Sequence, residues 1–133
     1  MLDFSHNMVG TQMHVFEALS KKIIGCAINV HKTLGPGFLE SIYEQALMIE
    51  MSENGLRYES QKEIGITYRG VKIGIHRLDM VVEDAIIVEL KATRELADLH
   101  LAQLRSYLKA ANLKVGLLIN FSKPTLEVKR VVN

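Results

Sequence analysis

The run Val115-Gly116-Leu117-Leu118-Ile119 is apolar at every position, so a strand here has no face to give to water and must lie inside a sheet covered on both sides. The flanking sequence supplies helices for that cover. From Val15 the apolar residues Phe16, Leu19, Ile23, Ala27 and Val30 recur at three and four, the stripe of an amphipathic helix. Gly35-Pro36-Gly37 must end it, because proline lacks the amide hydrogen that continues a helix and the flanking glycines admit angles closed to other residues. A second helix is predicted from about Leu39 to Glu53, with Ile42, Ala46 and Ile49 on one side, Glu40 in its first turn and Asn54-Gly55 as its stop. A third runs from about Leu96 to Ala111, carrying Leu101, Leu104 and Leu108 on one stripe, with Gln103 and Tyr107 four apart beside it.

Between the second and third helices the period falls to two. Leu56 to Ile75 reads as two strands, with Ile64, Ile66 and Tyr68 alternating before a turn at Arg69-Gly70. Ile75 to Glu83 alternates more cleanly and the β-branched run Ile86 to Lys91 follows, so these two read as a hairpin. Leu126, Val128, Val131 and Val132 suggest a last edge strand. The order ααβββ(β)αβ(β) describes an α/β domain with a mixed β-sheet flanked by α-helices. Residues 1–12 show no sustained period and Met13 would serve equally as a start, so residues 1–13 read as an N-terminal extension to a domain of residues 14–133.

A chain of 133 residues fits one such domain without disulfide or metal staples. Sixteen Lys and Arg against fifteen Asp and Glu leave a net charge of +1, which excludes a strongly basic nucleic-acid coat but leaves room for a local basic face. Cys26, the only cysteine, lies in the apolar stripe of the first helix and reads as a buried, inert thiol. No apolar run approaches the ~18 residues of a membrane span, and the expectation is a cytoplasmic protein with no membrane partner.

The chemistry concentrates in the hairpin. Period two puts Asp79 on a face with Arg77 and Val81, and Glu89 and Lys91 on a face with Ile87, leaving Leu78, Met80, Val88 and Leu90 opposite. If the loop is Glu83-Asp84-Ala85, Val82 faces Ile86 and Asp79 lies opposite Glu89, where Cβ atoms stand about 4.5–5.5 Å apart. Two carboxylates that close share a proton or hold a cation. A two-residue loop would shift the register and separate them. An isolated Glu-x-Lys is a weak motif, common on solvated sheet faces, so the hairpin alone does not establish a site.

Further residues bear on that reading. Gly37-Phe38-Leu39-Glu40-Ser41-Ile42-Tyr43 matches a G-x-x-E-x-x-Y signature, and around it stand Val30 to Gly37, Arg77-Leu78-Asp79, Val88-Glu89-Leu90-Lys91, Gln103 with Tyr107-Leu108, and Gly116 to Phe121. As an ordered set these blocks resemble the bacterial and archaeal GxxExxY proteins of the PD-(D/E)xK nuclease superfamily, over about Leu19 to Val132. The resemblance implies a restriction-endonuclease-like fold. It makes Asp79, Glu89 and Lys91 the acid-acid-base set and Glu40 an acidic contribution from the helical region, although Leu78 replaces the proline that precedes Asp79 in the superfamily motif. Gln103 to Tyr107 is similar to the Q-x-x-x-Y element of RecB-type nucleases, which lies beside the site.

On that resemblance, Glu40, Asp79, Glu89 and the Leu90 carbonyl would form a hard oxygen site suited to Mg²⁺ or Mn²⁺. Lys91 would position the attacking water and neutralise developing charge, or act as its base, Gln103 would orient Lys91 or the water, and Tyr43 would hold Glu40. His31 reads as a cap or packing residue, and His14, His76 and His100 have no ligand spacing. Arg57, Lys62, Arg69, Lys72, Arg94, Arg105 and Lys109 are candidates for gripping a nucleic-acid backbone. The expected function is a metal-dependent nuclease on nucleic acid, DNA before RNA; the alternative is a non-catalytic nucleic-acid- or protein-binding module on the same fold. The small surface of the domain also suits a homodimer.

Overall fold

The structure, a computed structural model, describes the backbone of residues 4–133 and the side chains of residues 13–133. Helix α1 spans Phe4–Leu34 and α2 spans Glu40–Glu53; the strands β1 (Tyr58–Tyr68), β2 (Val71–Val82) and β3 (Ile86–Lys91) follow, then α3 (Asp98–Ala111), β4 (Val115–Asn120) and β5 (Glu127–Val132). The first helix thus begins before Val15, within the stretch expected to be an extension, of which residues 1–3 lie outside the described residues. The strand expected to end at Ile75 instead continues to Val82. β1 tracks it throughout, from Tyr68 opposite Val71 to Tyr58 opposite Val82, so the optional extra strand is absent from this part of the chain.

The five strands lie in the order β1-β2-β3-β4-β5. All neighbours are antiparallel except β3 and β4, which are parallel and joined through α3, so the sheet is mixed. Every residue of β4 is buried, and in β3 only Lys91 is not, as two strands covered on both faces require. α1 and α2 cover one face: Ile23, Ala27, Tyr43, Leu47 and Met51 pack with Met80, Val88, Leu117 and Phe121. Cys26 is buried there, where desolvation pushes its thiol above the usual range and keeps it unreactive. α3 covers the other face through Leu104 and Leu108, which pack with Ile64, Leu78, Val81, Ile87 and Leu118. This helix sits so close to β4 that a Cβ on Gly116 would stand 2.8 Å from Leu104 Cδ1.

Two turns set the registers. Arg69 and Gly70 both take positive φ, at 50° and 79°, the conformation whose twist suits a two-residue hairpin. Glu83 and Asp84 take φ of 53° and 54° in the second loop, and Ala85 N–H returns to the Val82 carbonyl at 3.0 Å. That three-residue loop pairs Val82 with Ile86, Val81 with Ile87 and Met80 with Val88. There the β2–β3 ladder stops.

The expected face pattern is interrupted at the same point. Leu78 packs on the α3 side with Ile64 and Val81, whereas strict alternation would place it beside Met80 on the other side. Across β1 the partners of Leu78 and Met80 are Lys62 and Ser60, and the residue between them, Gln61, has a φ of 52°. A left-handed residue in β1 facing Asp79 breaks the pleat of the pair, so the side chains on its two sides no longer follow one alternation.

Candidate active site

β3 ends at Lys91, and beyond it Asn120 of β4 fixes the next segment. Its side-chain Nδ2 donates to the Thr93 carbonyl at 2.9 Å and its Oδ1 accepts from Thr93 N–H at 3.1 Å. This pair of hydrogen bonds is the reason a fully buried polar residue can close an apolar strand. Beside Lys91, a cleft of about 140 Å³ is lined by Glu40, His76, Arg77, Asp79, Glu89, Lys91, His100, Gln103 and Tyr107, with Leu104 and Leu118 at its base.

Each side chain reaches the cleft for a local reason. Asp79 sits where β2 and β3 part, and its Oδ2 accepts from Leu90 N–H at 2.8 Å, taking an amide that the backbone ladder leaves free. Glu89 stands beside Leu118 of β4, beneath α3. Gln103 and Tyr107 descend from α3 one turn apart. Glu40, the first residue of α2, accepts from Ala92 N–H at 3.3 Å, so it touches the segment that follows Lys91. Of the expected set, Glu40, Asp79, Glu89, Lys91 and Gln103 therefore meet at one cleft.

Tyr43 does not join them. It is fully buried, stacked on Phe121 at 4.4 Å, and its hydroxyl donates to the Gly35 carbonyl at 2.6 Å while accepting from Phe38 N–H at 3.2 Å. It braces the turn that delivers Glu40 instead of contacting Glu40 itself, because its position on α2 points into the core between the helices and the sheet. His31, as expected, is a packing residue: its Nε2 donates to the Lys123 carbonyl at 2.8 Å.

Two histidines with no recognisable spacing in the sequence also line the cleft. His100 Nδ1 accepts from Ala97 N–H at 3.1 Å and so secures the start of α3. His76 stacks on Tyr107 with ring centroids 3.7 Å apart and planes 13° from parallel. Its Nε2 lies 3.8 Å from Glu89 Oε1, and both atoms are buried without a hydrogen-bond partner. The only sequence signal for His76 is its place three residues before Asp79 on the same strand.

Charge in the cleft is arranged against ionisation of Glu89. Burial first, and then the negative charge of Asp79, push its carboxyl up to about 9, with Lys91 opposing weakly. Burial lowers His76 and raises Tyr107. Among the described residues, no three His, Cys, Asp or Glu side chains stand at ligand spacing around one point. The carboxylates of Asp79 and Glu40 are turned onto the amides of Leu90 and Ala92. The donors nevertheless suit a hard divalent cation, for they are oxygens, and a buried Glu89 carboxyl held against ionisation beside the charge of Asp79 is what such a cation would relieve.

The family model of the PD-(D/E)XK nuclease superfamily matches residues 17–131 of the chain. No curated protein matches it. Among solved structures, the crystal structure of SSO0001 is similar in fold, with a TM-score of 0.53 at 20% identity over 70% of this chain and 49% of that one. The chain thus spans about half the length of that structure.

Proposed function

Because the chain belongs to the PD-(D/E)XK nuclease superfamily, we propose that it is a divalent-metal-dependent phosphodiesterase that hydrolyses nucleic acid, DNA before RNA, in one in-line step. The observation that carries this reading is the meeting of Asp79, Glu89, Lys91 and Gln103 at one cleft. Asp79 and Glu89 would hold Mg²⁺ or Mn²⁺, with Glu40 and the Leu90 carbonyl completing an oxygen set. When bound, the ion supplies Lewis-acid polarisation of the scissile phosphate and charge stabilisation of the leaving oxygen.

The chain's own groups do the remaining work. Lys91, at the end of β3, holds the attacking water by hydrogen bonding and neutralises charge that develops on the phosphate. Gln103 orients Lys91 or that water from α3, and Arg77 offers a cation at the rim to a phosphate oxygen. Arg69 and Lys72, farther along the β1–β2 hairpin, extend the basic surface available to a nucleic-acid backbone.

The test is incubation of the purified protein with labelled single-stranded, duplex and branched DNA in Mn²⁺, in Mg²⁺ and in chelator. Cleavage that needs the ion supports the proposal. Binding without cleavage under every condition would favour the non-catalytic binding module.

A further inference from the structure

His76 lies outside the acid-acid-base set and outside the residues that the G-x-x-E-x-x-Y resemblance supplies, yet it meets that set at its most buried member. The imidazole stacks on Tyr107 at 3.7 Å with planes 13° from parallel, which holds the plane of the ring. Nε2 lies 3.8 Å from Glu89 Oε1, and each of the two atoms is shut off from solvent with no hydrogen-bond partner. Buried polar atoms without partners are rare, and two that face each other form a pair awaiting a small adjustment, since the gap exceeds the roughly 3.2 Å limit of a hydrogen bond.

Glu89 has two oxygens and two demands on them. As a metal ligand beside Asp79 it must direct one oxygen to the cation, and its other oxygen then needs a donor in a place water does not reach. We propose that His76 is a positioning residue for Glu89: Nε2 donates to Oε1 in the metal-loaded protein, held by Tyr107, and keeps the other carboxylate oxygen turned toward Asp79 and the ion. This rests on the reading of Glu89 as a metal ligand. It also gives the tyrosine of the Gln103–Tyr107 element a task, the clamping of an imidazole.

Calorimetric titration of Mn²⁺ into chelator-treated wild type, His76→Phe and His76→Gln tests the role, with thermal unfolding of each alongside. Phe keeps a ring against Tyr107 and removes the nitrogens; Gln keeps a donor at the reach of Nε2 and removes the ring. The expected result is a loss of Mn²⁺ affinity of about tenfold or more in His76→Phe at unchanged stability, with much of it recovered in His76→Gln. In the Mg²⁺-loaded wild type, long-range ¹H–¹⁵N spectra should find the His76 proton on Nε2, a readout that needs no variant to fold. Wild-type affinity in His76→Phe, or a proton on Nδ1 alone, would overturn the positioning role while leaving the metal centre intact. A wild type that takes up no Mn²⁺ would overturn the metal centre itself, and the role of His76 with it.

Discussion

Asp79 Oδ2 accepts the Leu90 amide at 2.8 Å, a side-chain bond between β2 and β3 just past Met80–Val88, their last backbone pair. One carboxylate thus both closes the gap between diverging strands and stands in the cleft beside Glu89. The two roles separate by mutation. Asp79→Asn retains an oxygen for Leu90 N–H and should fold with near wild-type stability, whereas Asp79→Ala strands the amide and should cost about 1–3 kcal/mol in denaturant unfolding. Both should weaken Mn²⁺ binding in calorimetry, because both remove the charge.

Glu89 makes stability depend on pH. Burial, reinforced by Asp79, lifts its carboxyl to about 9 from an ordinary value of 4.5, so the folded protein keeps a proton that the unfolded chain releases. The sign follows: metal-free protein is most stable below about pH 4.5 as far as this group is concerned, and loses that contribution as pH rises toward about 9. Glu89→Gln should flatten the dependence of melting temperature on pH across that window. Because a cation must displace the proton, Mn²⁺ affinity should rise by up to about tenfold per pH unit below the folded value, with proton release detectable in buffers of different ionisation enthalpy.

The three-residue loop Glu83-Asp84-Ala85 was one of two readings open from the sequence, and the structure adopts it, pairing Val82 with Ile86, although the ladder ends at Met80–Val88 before the expected Asp79–Glu89 pair. The break in alternation at Asp79 was not legible in the sequence. It depends on Gln61, a residue with no special liking for positive φ, adopting 52° on the neighbouring strand. Tyr43 also misled, because one spacing serves a helix residue that faces a site and one that packs under it; only the stacking on Phe121, the residue that follows β4, decides. His76 stayed silent for the same reason, its meaning being a contact with Tyr107 across thirty-one positions of chain.

Gly116→Ala should unsettle the α3 side of the cleft. A methyl there meets Leu104 Cδ1 at 2.8 Å and Cδ2 at 3.0 Å, and Leu104 is too well buried to swing away. The expected cost is about 1–3 kcal/mol in urea unfolding, as for other overpacked cores. α3 would ride outward and carry Gln103 with it, so cleavage should fall more than Mn²⁺ affinity does.

Tyr43→Phe keeps the stack on Phe121 and removes the hydroxyl that ties the Gly35 carbonyl to the Phe38 amide. Stability should drop by about 1–2 kcal/mol, read from the shift in denaturation midpoint. Mn²⁺ affinity should stay close to wild type if the hydroxyl braces the turn; a loss as large as that of Asp79→Ala would instead give Tyr43 a direct part in the metal centre.

Lys91 separates a catalytic cleft from a merely charged one. It lines the cleft at the end of β3, and as a cation it contributes positive charge and hydrogen-bond donors but no metal ligand. Were it only a surface partner for a carboxylate, its removal would change stability by about 0–1 kcal/mol and nothing else. The measurement is the single-turnover rate at which wild type and Lys91→Ala cut labelled DNA in Mn²⁺, with Mn²⁺ affinity taken on the same preparations. Lys91→Ala is expected to fold, bind Mn²⁺ nearly as wild type does and leave the DNA uncut; cleavage by Lys91→Ala at the wild-type rate would rule out a catalytic part for Lys91.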